Sequence, residues 1–150
     1  MQVYRISVAR WANQLAASGY AARWNSQGRF VIYTADSRAL ACLENVVHRS
    51  GEGLNQLFKV MTIQLPDHIA ITHVKEDELP ENWSDYRNYA ICQQIGDKWL
   101  DEHRTAILRV PSAIIPDEHN YLLNPAHPDF NTIKLLNVED FLFDHRIKKE

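Results

Sequence analysis

The alternation of apolar and polar residues predicts four strands in the first half of the chain. Residues 2–8 alternate, and residues 29–34 follow a turn at Gly28 and are rich in β-branched and aromatic side chains. Residues 57–65 and 69–74 form two further strand patterns, which a Pro-Asp-His turn separates. The run over 29–34 has few polar residues, and we expect it to be buried in a sheet.

Apolar residues at helical spacing predict two helices between the strands. The first begins at a capping residue, Asp36 or Ser37, and ends near residue 49, where a Ser-Gly pair stops it. The apolar stripe of this helix consists of Leu40, Leu43 and Val47. The second helix spans residues 86–103 and contains Gly96 as a candidate interruption.

The last third of the chain predicts further strands around rigid turns. Residues 105–115 form a strong strand pattern, but Pro111 lacks the N–H of a central strand and predicts a bulge or a strand end. A turn rich in proline and asparagine precedes a strand over 132–136, and residues 141–147 close the chain. Strands at both ends with helices between them indicate a single α+β or mixed α/β domain over residues 1–150.

The composition is that of an ordinary globular domain. Of 150 residues, 45% are hydrophobic and 23% are charged. The net charge of −3, with no cluster of Lys and Arg, argues against a nucleic-acid-binding surface. No apolar run could span a membrane and no signal peptide is visible, so we expect a soluble cytoplasmic protein. The two cysteines, Cys42 and Cys92, are expected to be reduced and buried.

Two charged residues adjoin apolar segments, where a charge needs a partner. Arg23 precedes Trp24 and Asn25 in a loop; its fork suits a phosphate or pyrophosphate, and the alternative is a pair with a neighbouring carboxylate. Glu44 borders the apolar stripe of the first helix, where it either binds an arginine or a ligand hydroxyl or reaches water. The sequence has no Gly-rich phosphate loop, so side chains such as Arg5 and Arg23 would have to hold any phosphate.

Three smaller polar residues lie near predicted strand ends. Ser112 follows the proline at the rim of the sheet, where it either faces outwards or bonds to its own local backbone. Asn120 and Asn124 flank a short strand before the proline-rich turn, and each could bind a ligand or stabilise that turn. The histidines and cysteines show no metal-ligand spacing, and no nucleophile elbow is present in the sequence.

Taken in order, these segments resemble the RES domain, the toxin of RES–Xre toxin–antitoxin pairs. The matching stretches are Tyr4-Arg5, Arg23-Trp24-Asn25-Ser26 with Gly28, Ile32-Tyr33-Thr34-Ala35, Leu40-Ala41-x-x-Glu44, Gly96-Asp97-x-Trp99-Leu100, Val110-Pro111-Ser112-Ala113 and Asn120-Tyr121-Leu122-x-Asn124-Pro125-x-His127-Pro128. The likeness covers nearly the whole chain, and its specificity lies in the order of the motifs. One departure is Ala21-Ala22, where the family usually has glycines; alanine fits there only at negative φ.

The resemblance implies an α+β domain with a central, mostly antiparallel sheet and inserted helices, similar to the ADP-ribosyltransferase fold. It implies an enzyme that binds NAD in a cleft and cleaves its nicotinamide–ribose bond. The acceptor would be water (a glycohydrolase) or inorganic phosphate (a phosphorylase), with no metal or other cofactor. The implied partner is a cognate Xre-like antitoxin that blocks the cleft, and a homodimer within a larger toxin–antitoxin complex is expected.

By residue match, the resemblance also implies the site. The catalytic set is Glu44, Arg23, Tyr33 and Ser112, and the NAD contacts are Arg5, Arg23, Tyr33, Trp24, Asn120 and Asn124. Glu44 would hold the ribose hydroxyls and stabilise developing positive charge, the two arginines would bind the pyrophosphate, and Tyr33 would flank the nicotinamide.

Two other functions compete with this one. The first is an ADP-ribosyltransferase that modifies a protein or nucleotide, although such enzymes often place Glu or Gln two residues before the catalytic Glu, where this chain has Cys42. The second is a catalytically silent domain that binds a partner; the presence of the Arg, Tyr, Glu and Ser of the family pattern argues against it.

Overall fold

Seven strands and two helices form the regular structure of residues 1–48 and 56–147, which the computed structural model describes. The strands are β1 (Gln2–Val8), β2 (Ile32–Ala35), β3 (Phe58–Gln64), β4 (Ile71–His73), β5 (Ile107–Pro111), β6 (His119–Leu123) and β7 (Lys134–Phe141). The helices are α1 (Arg38–His48) and α2 (Ala90–Glu102), with 3₁₀ turns at Ala9–Trp11, Glu76–Glu78 and Pro128–Thr132. Neither helix of this described part is long and apolar enough to cross a membrane.

All seven strands belong to one sheet in the order β4-β5-β6-β2-β1-β3-β7. Five of the neighbouring pairs are antiparallel, and only β4 and β5 run parallel. The predicted α+β architecture with a mostly antiparallel sheet is therefore confirmed.

The centre of the sheet opens between β1 and β2. On its other side β1 pairs with β3 along its whole length, from Gln2 to Val8, but with β2 it shares the single register position Tyr4–Ala35. Beyond that position no further register partners join the two strands within the described residues, so their facing backbone groups need other partners. This divergence places a gap in the middle of the sheet.

Three groups of buried side chains hold the helices and loops to the sheet. Ile32, Ile107 and Leu123 lie in the first group, on one face of the sheet. The second packs Trp99 and Leu100 of α2 against the other face, on a set that comprises Leu108, Val110 and Leu122. The third packs Leu40 and Ala41 of α1 against Ile6, Phe58 and Val60. Each helix thus covers its own part of the sheet, and the gap lies between them.

Several details differ from the sequence-based expectations. β2 begins at Ile32 rather than at residue 29, and Phe30 is 53% exposed. Val47 is also exposed, at 58%, rather than buried. The helix α2 continues through Gly96 without interruption. The Ser-Gly stop of α1 at positions 50 and 51 lies outside the described residues.

Three local expectations are confirmed. The Ser37 hydroxyl accepts a hydrogen bond from the Leu40 amide at 3.0 Å, as a helix cap does. Cys42 and Cys92 are buried and are not joined in a disulfide. The alanines that replace family glycines fit the loop, because among the described residues positive φ outside glycine occurs only at His103 and Asp117.

Candidate active site

A cleft of about 1250 Å³ opens where β1 and β2 diverge. Its floor includes Arg5 of β1 and Tyr33 of β2, and α1 contributes Glu44 and His48 to one side. The opposite side is formed by the loop before β2, with Arg23, and by residues 84–89. The gap in the sheet therefore gathers the charged residues that the sequence singled out.

Glu44 presents the carboxylate of this cleft from the middle of α1. Its side chain is 23% exposed, and its Oε2 atom lies 3.2 Å from Nε2 of His48 one turn later. Both side chains line the cleft. Among the alternatives left open by the sequence, the structure places Glu44 at the edge of the apolar stripe and facing a cavity large enough for a ligand.

Tyr33 is fixed by two hydrogen bonds through its hydroxyl. The oxygen accepts from the Trp24 amide at 3.0 Å and donates to Oδ1 of Asn25 at 2.6 Å. Burial is the main reason that the pKa of Tyr33 is raised, so the phenol keeps its proton. With the hydroxyl engaged inside the protein, it is the ring of Tyr33 that remains to meet a ligand in the cleft.

Arg5 bridges the gap in the sheet. Its Nη1 atom donates to the Tyr33 carbonyl at 2.8 Å, a backbone acceptor that β1 leaves unpaired where it diverges from β2. Burial lowers the pKa of Arg5. Among the described residues no carboxylate forms an ion pair with this guanidinium. Its remaining N–H groups therefore suit an anionic ligand.

Arg23 is more fully engaged than Arg5. Its guanidinium donates to the backbone carbonyls of Trp83 at 2.7 Å and Ser84 at 3.1 Å, with a longer contact of 3.5 Å to that of Asp85. It also lies 4.7 Å from the ring centroid of Tyr89. Among the residues that the structure describes, no carboxylate forms the pair considered from the sequence, and carbonyl oxygens take its place.

The helix α2 holds the loop that carries Arg23. The Asp97 carboxylate accepts from the amide of Ser26 at 3.1 Å and from its hydroxyl at 2.6 Å. Gln93 donates to the carbonyl of Ala22 at 2.9 Å. Gly96 lets the helix approach closely, since a Cβ there would lie 1.7 Å from the Trp24 carbonyl oxygen. Gly96 and Asp97 thus hold in place the loop that forms one side of the cleft.

The other predicted site residues occupy different places. The Ser112 hydroxyl accepts from the amides of Ile114 and Ile115 at 3.1 and 3.0 Å, the local backbone bonding that was its alternative. It does not line the cleft, although its neighbour Ala113 does, and a contact of Ser112 with a ligand stays a prediction. Asn120 lines the cleft and donates to the Thr34 carbonyl at 3.2 Å.

Trp24 and Asn124 are buried residues with structural partners. Trp24 is 3% exposed and reaches the cleft surface only in part, with its ring 6.1 Å from that of Trp83. Asn124 lies at the far end of β6 and does not line the cleft. Its Oδ1 atom accepts from the Ala126 amide at 3.0 Å, which gives it the turn-stabilising role considered from the sequence.

Several cleft residues have no counterpart among the predicted ones. His48 and Asn45 of α1 line the cleft, and His48 could have been found from its spacing of four residues from Glu44. Tyr20, Tyr86 and Tyr89 add aromatic surface. Residues 84–89 lie about sixty positions from Arg23 in the sequence. No local sequence pattern predicts that Arg23 contacts them. The described residues contain no group of three or more His, Cys, Asp or Glu side chains able to hold a metal ion.

Comparison with known proteins relates the whole chain to a family. The model of the RES domain matches residues 2–144. The chain is 40% identical over 127 residues to the Prs ADP-ribosylating toxin of Sphingobium sp. (strain YBL2), covering 83% of this chain and 79% of that protein. It is 34% identical over 153 residues to Toxin Res of Yersinia enterocolitica, covering 99% of this chain and all of that protein.

A solved structure shares the fold. A chain of the Mycobacterium tuberculosis MbcT–MbcA toxin–antitoxin complex superposes with a TM-score of 0.77 at 18% identity. The match covers 94% of this chain and 84% of that one, so the arrangement of the sheet and helices extends to a distant sequence.

Proposed function

Because the chain belongs to the RES domain toxin family, we propose that it is the toxin of a toxin–antitoxin pair and acts by cleaving the nicotinamide–ribose bond of NAD. One observation carries the proposal. A single cleft holds the Glu44 carboxylate together with two guanidinium groups, Arg5 and Arg23; the Asp85 carboxylate at its wall is bound by Arg87. A dinucleotide brings the matching chemistry, with ribose hydroxyls for the carboxylate and a pyrophosphate for positive charge.

The size of the cleft supports a substrate as large as NAD. Pockets for drug-sized ligands measure about 300–1,000 Å³, and the cleft here measures about 1250 Å³. The aromatic rings of Tyr33, Tyr86 and Tyr89 face or border this space and offer surfaces for the two planar rings of a dinucleotide.

The reaction needs only one carboxylate. The bond between C1′ of the ribose and N1 of the pyridinium breaks, and its electron pair neutralises the ring nitrogen, so nicotinamide leaves without help from an acid. The ribose becomes oxocarbenium-like, as in glycoside hydrolysis. Glu44 would stabilise that charge and bind the ribose hydroxyls. A water or phosphate oxygen then forms the new bond to C1′, and water loses a proton to solvent.

The proposal extends to the partner. We propose that an Xre-like antitoxin covers the cleft and thereby prevents NAD from entering. Tyr20 and Tyr86 at the cleft are 74% and 78% exposed, and exposed aromatic side chains are typical of surfaces that a protein partner covers. Adding the product of a neighbouring Xre-like reading frame to the purified enzyme is expected to stop NAD loss. Undiminished turnover in the saturated complex would contradict the blocking mechanism.

The variant Glu44→Gln tests the reaction itself. It removes the negative charge while keeping the shape, and loss of such preorganised electrostatics costs about 10²–10³ in turnover. Glu102→Gln on α2, outside the cleft, is the matched control and is expected to turn over NAD like the wild type. Unchanged NAD loss by a folded Glu44→Gln protein would remove Glu44 from the mechanism.

A second candidate function is ADP-ribosyl transfer to a macromolecule, which the name of the Sphingobium relative favours. The residue two positions before Glu44 is Cys42, which is 8% exposed and does not line the cleft. It offers no acceptor-binding side chain of the kind such transferases use. Mass analysis of labelled products separates the outcomes: free ADP-ribose, ADP-ribose 1-phosphate, or a modified protein or nucleotide.

A further inference from the structure

The segment 83–89 forms a wall of the cleft without belonging to a helix or strand. Ser84, Asp85, Tyr86 and Tyr89 line the cavity, and Tyr86 is 78% exposed. Within the segment, short-range bonds such as Asn88 N to the Asp85 carbonyl at 2.9 Å keep the turns together. The two ends of the segment are held elsewhere: Trp83 is 4% exposed and packs in the second core group, and the Tyr89 carbonyl accepts from the Gln93 amide of α2 at 2.9 Å. The stretch between them depends on further bonds to stay in place.

Arg23 binds the segment to the loop before β2. Both of its terminal nitrogens donate to carbonyls of the segment, at 2.7 Å to Trp83 and 3.1 Å to Ser84. The same guanidinium lies over the rings of Tyr89 at 4.7 Å and Trp83 at 5.8 Å. A planar, five-donor guanidinium can satisfy several carbonyls at once, whereas an ammonium cannot reproduce this fork.

The carboxylate of Asp85, close in sequence to the carbonyls that Arg23 binds, has another arginine as its main partner. The Asp85 side chain is bound by Arg87, whose Nη2 atom lies 2.9 Å from Oδ2. The hydrogen bonds from Arg87 lower the pKa of Asp85 to about 2. Arg23 is therefore engaged mainly by backbone carbonyls, while the bond that Arg5 makes within the described part of the chain is the one to the Tyr33 carbonyl.

We propose that Arg23 is a positioning residue: it anchors the wall 83–89, so that Tyr86 and Tyr89 present a fixed aromatic surface to a planar ring of the dinucleotide. Contact with the pyrophosphate then falls to Arg5, whose donors are less occupied. The identity of the ring-bearing ligand rests on the proposed function, but the anchoring of the wall does not.

Trypsin tests the anchor without any substrate. Arg87 is exposed within the wall and gives a cleavage site that reports its release. Losing the charge-assisted bonds in Arg23→Gln is expected to speed cleavage after Arg87 about tenfold or more. Cleavage after Arg109, inside β5, serves as the internal reference for global unfolding. Arg104→Gln is the matched surface control and is expected to leave the Arg87 rate unchanged.

Arg23→Lys keeps the experiment decisive if the glutamine variant fails to fold. It retains the charge but not the fork, so cleavage after Arg87 is expected to accelerate less than in Arg23→Gln and more than in the wild type. An Arg87 rate equal to that of the wild type in a folded variant at position 23 would overturn the anchoring role.

A double-mutant cycle on the KM for NAD tests the action through the wall. If Arg23 works through Tyr86, the losses from Arg23→Lys and Tyr86→Ala overlap, and the double variant is weakened by less than their product. If Arg23 holds the pyrophosphate directly, the two losses multiply and the positioning role is overturned. A wild type that cleaves no NAD refutes the proposed function, while the trypsin result still decides the anchor.

Discussion

Replacing Gly96 with alanine tests the close approach of α2 to the Arg23 loop. A Cβ at this position would lie 1.7 Å from the Trp24 carbonyl oxygen and 2.7 Å from its carbon, whereas an ordinary contact begins at 3.4 Å. Both obstacles are backbone, so no side-chain rotation relieves them. Overpacking costs about 1–3 kcal/mol or more, while alanine gains about 1 kcal/mol over glycine in a helix. We expect a net loss of about 2 kcal/mol, from the upper part of that range.

Thermal and urea unfolding measure this loss. For a domain of this size, about 2 kcal/mol lowers Tm by about 4–8 °C. The matched control is Gly28→Ala, because Gly28 has φ of +86° but nothing within 4 Å of its Cβ position. Its expected cost is about 1 kcal/mol, from backbone strain alone. A Gly96→Ala protein as stable as the wild type, or more stable through helix propensity, would refute the close approach.

Three further predictions concern the buried polar groups. Tyr33→Phe removes the hydroxyl that binds the Trp24 amide and Asn25, and urea unfolding is expected to show a loss of about 1–3 kcal/mol; a loss below about 0.5 kcal/mol would contradict the network. The second prediction concerns His119, whose pKa is lowered by burial. The unfolded chain therefore binds a proton at this histidine more readily than the folded protein does, and the free energy of unfolding falls as the pH drops through about 6.5. In His119→Gln this fall should flatten, and an identical pH profile would exclude the histidine. The third prediction concerns Cys92, whose thiol is fully buried and whose pKa is raised by burial. A thiol reagent is therefore expected to label Cys92 only after unfolding. Rapid labelling of the native protein would contradict this placement.

The sequence correctly predicted those elements whose apolar side chains pack against one face of the sheet. Residues 2–8 became β1 as expected, and Pro111 ends β5 because it has no N–H to donate. Helical spacing also placed Glu44 at the edge of a buried stripe. Val47, three residues on, was expected in the core but is exposed at the cleft. Periodicity predicts which side chains share one face of a helix. It does not predict how far the sheet beneath that face extends, and so which of those side chains are covered.

Contacts between distant segments could not be predicted in the same way. Gly96 suggested a break in α2, whereas its small size is used for packing against the Trp24 backbone. The hydrogen bonds of Arg23 reach Trp83 and Ser84, and nothing in either local sequence encodes that pairing. Ser112 illustrates the opposite case, because the local backbone bonds that a serine commonly makes are the ones the structure contains.

The single ladder position between β1 and β2 has a mechanical consequence. Past Tyr4–Ala35 one tie between β1 and β2 is the bond from Arg5 to the Tyr33 carbonyl, in addition to the side chains of the first core group, which come from both halves of the sheet. A guanidinium has donors for both a backbone oxygen and an arriving anion, so the tie and the ligand share one group. An anion that binds Arg5 in the cleft would therefore act on the bond that links β1 to β2. Amide hydrogen exchange along β2 becomes a sensor for filling of the cleft even when no bond is cleaved.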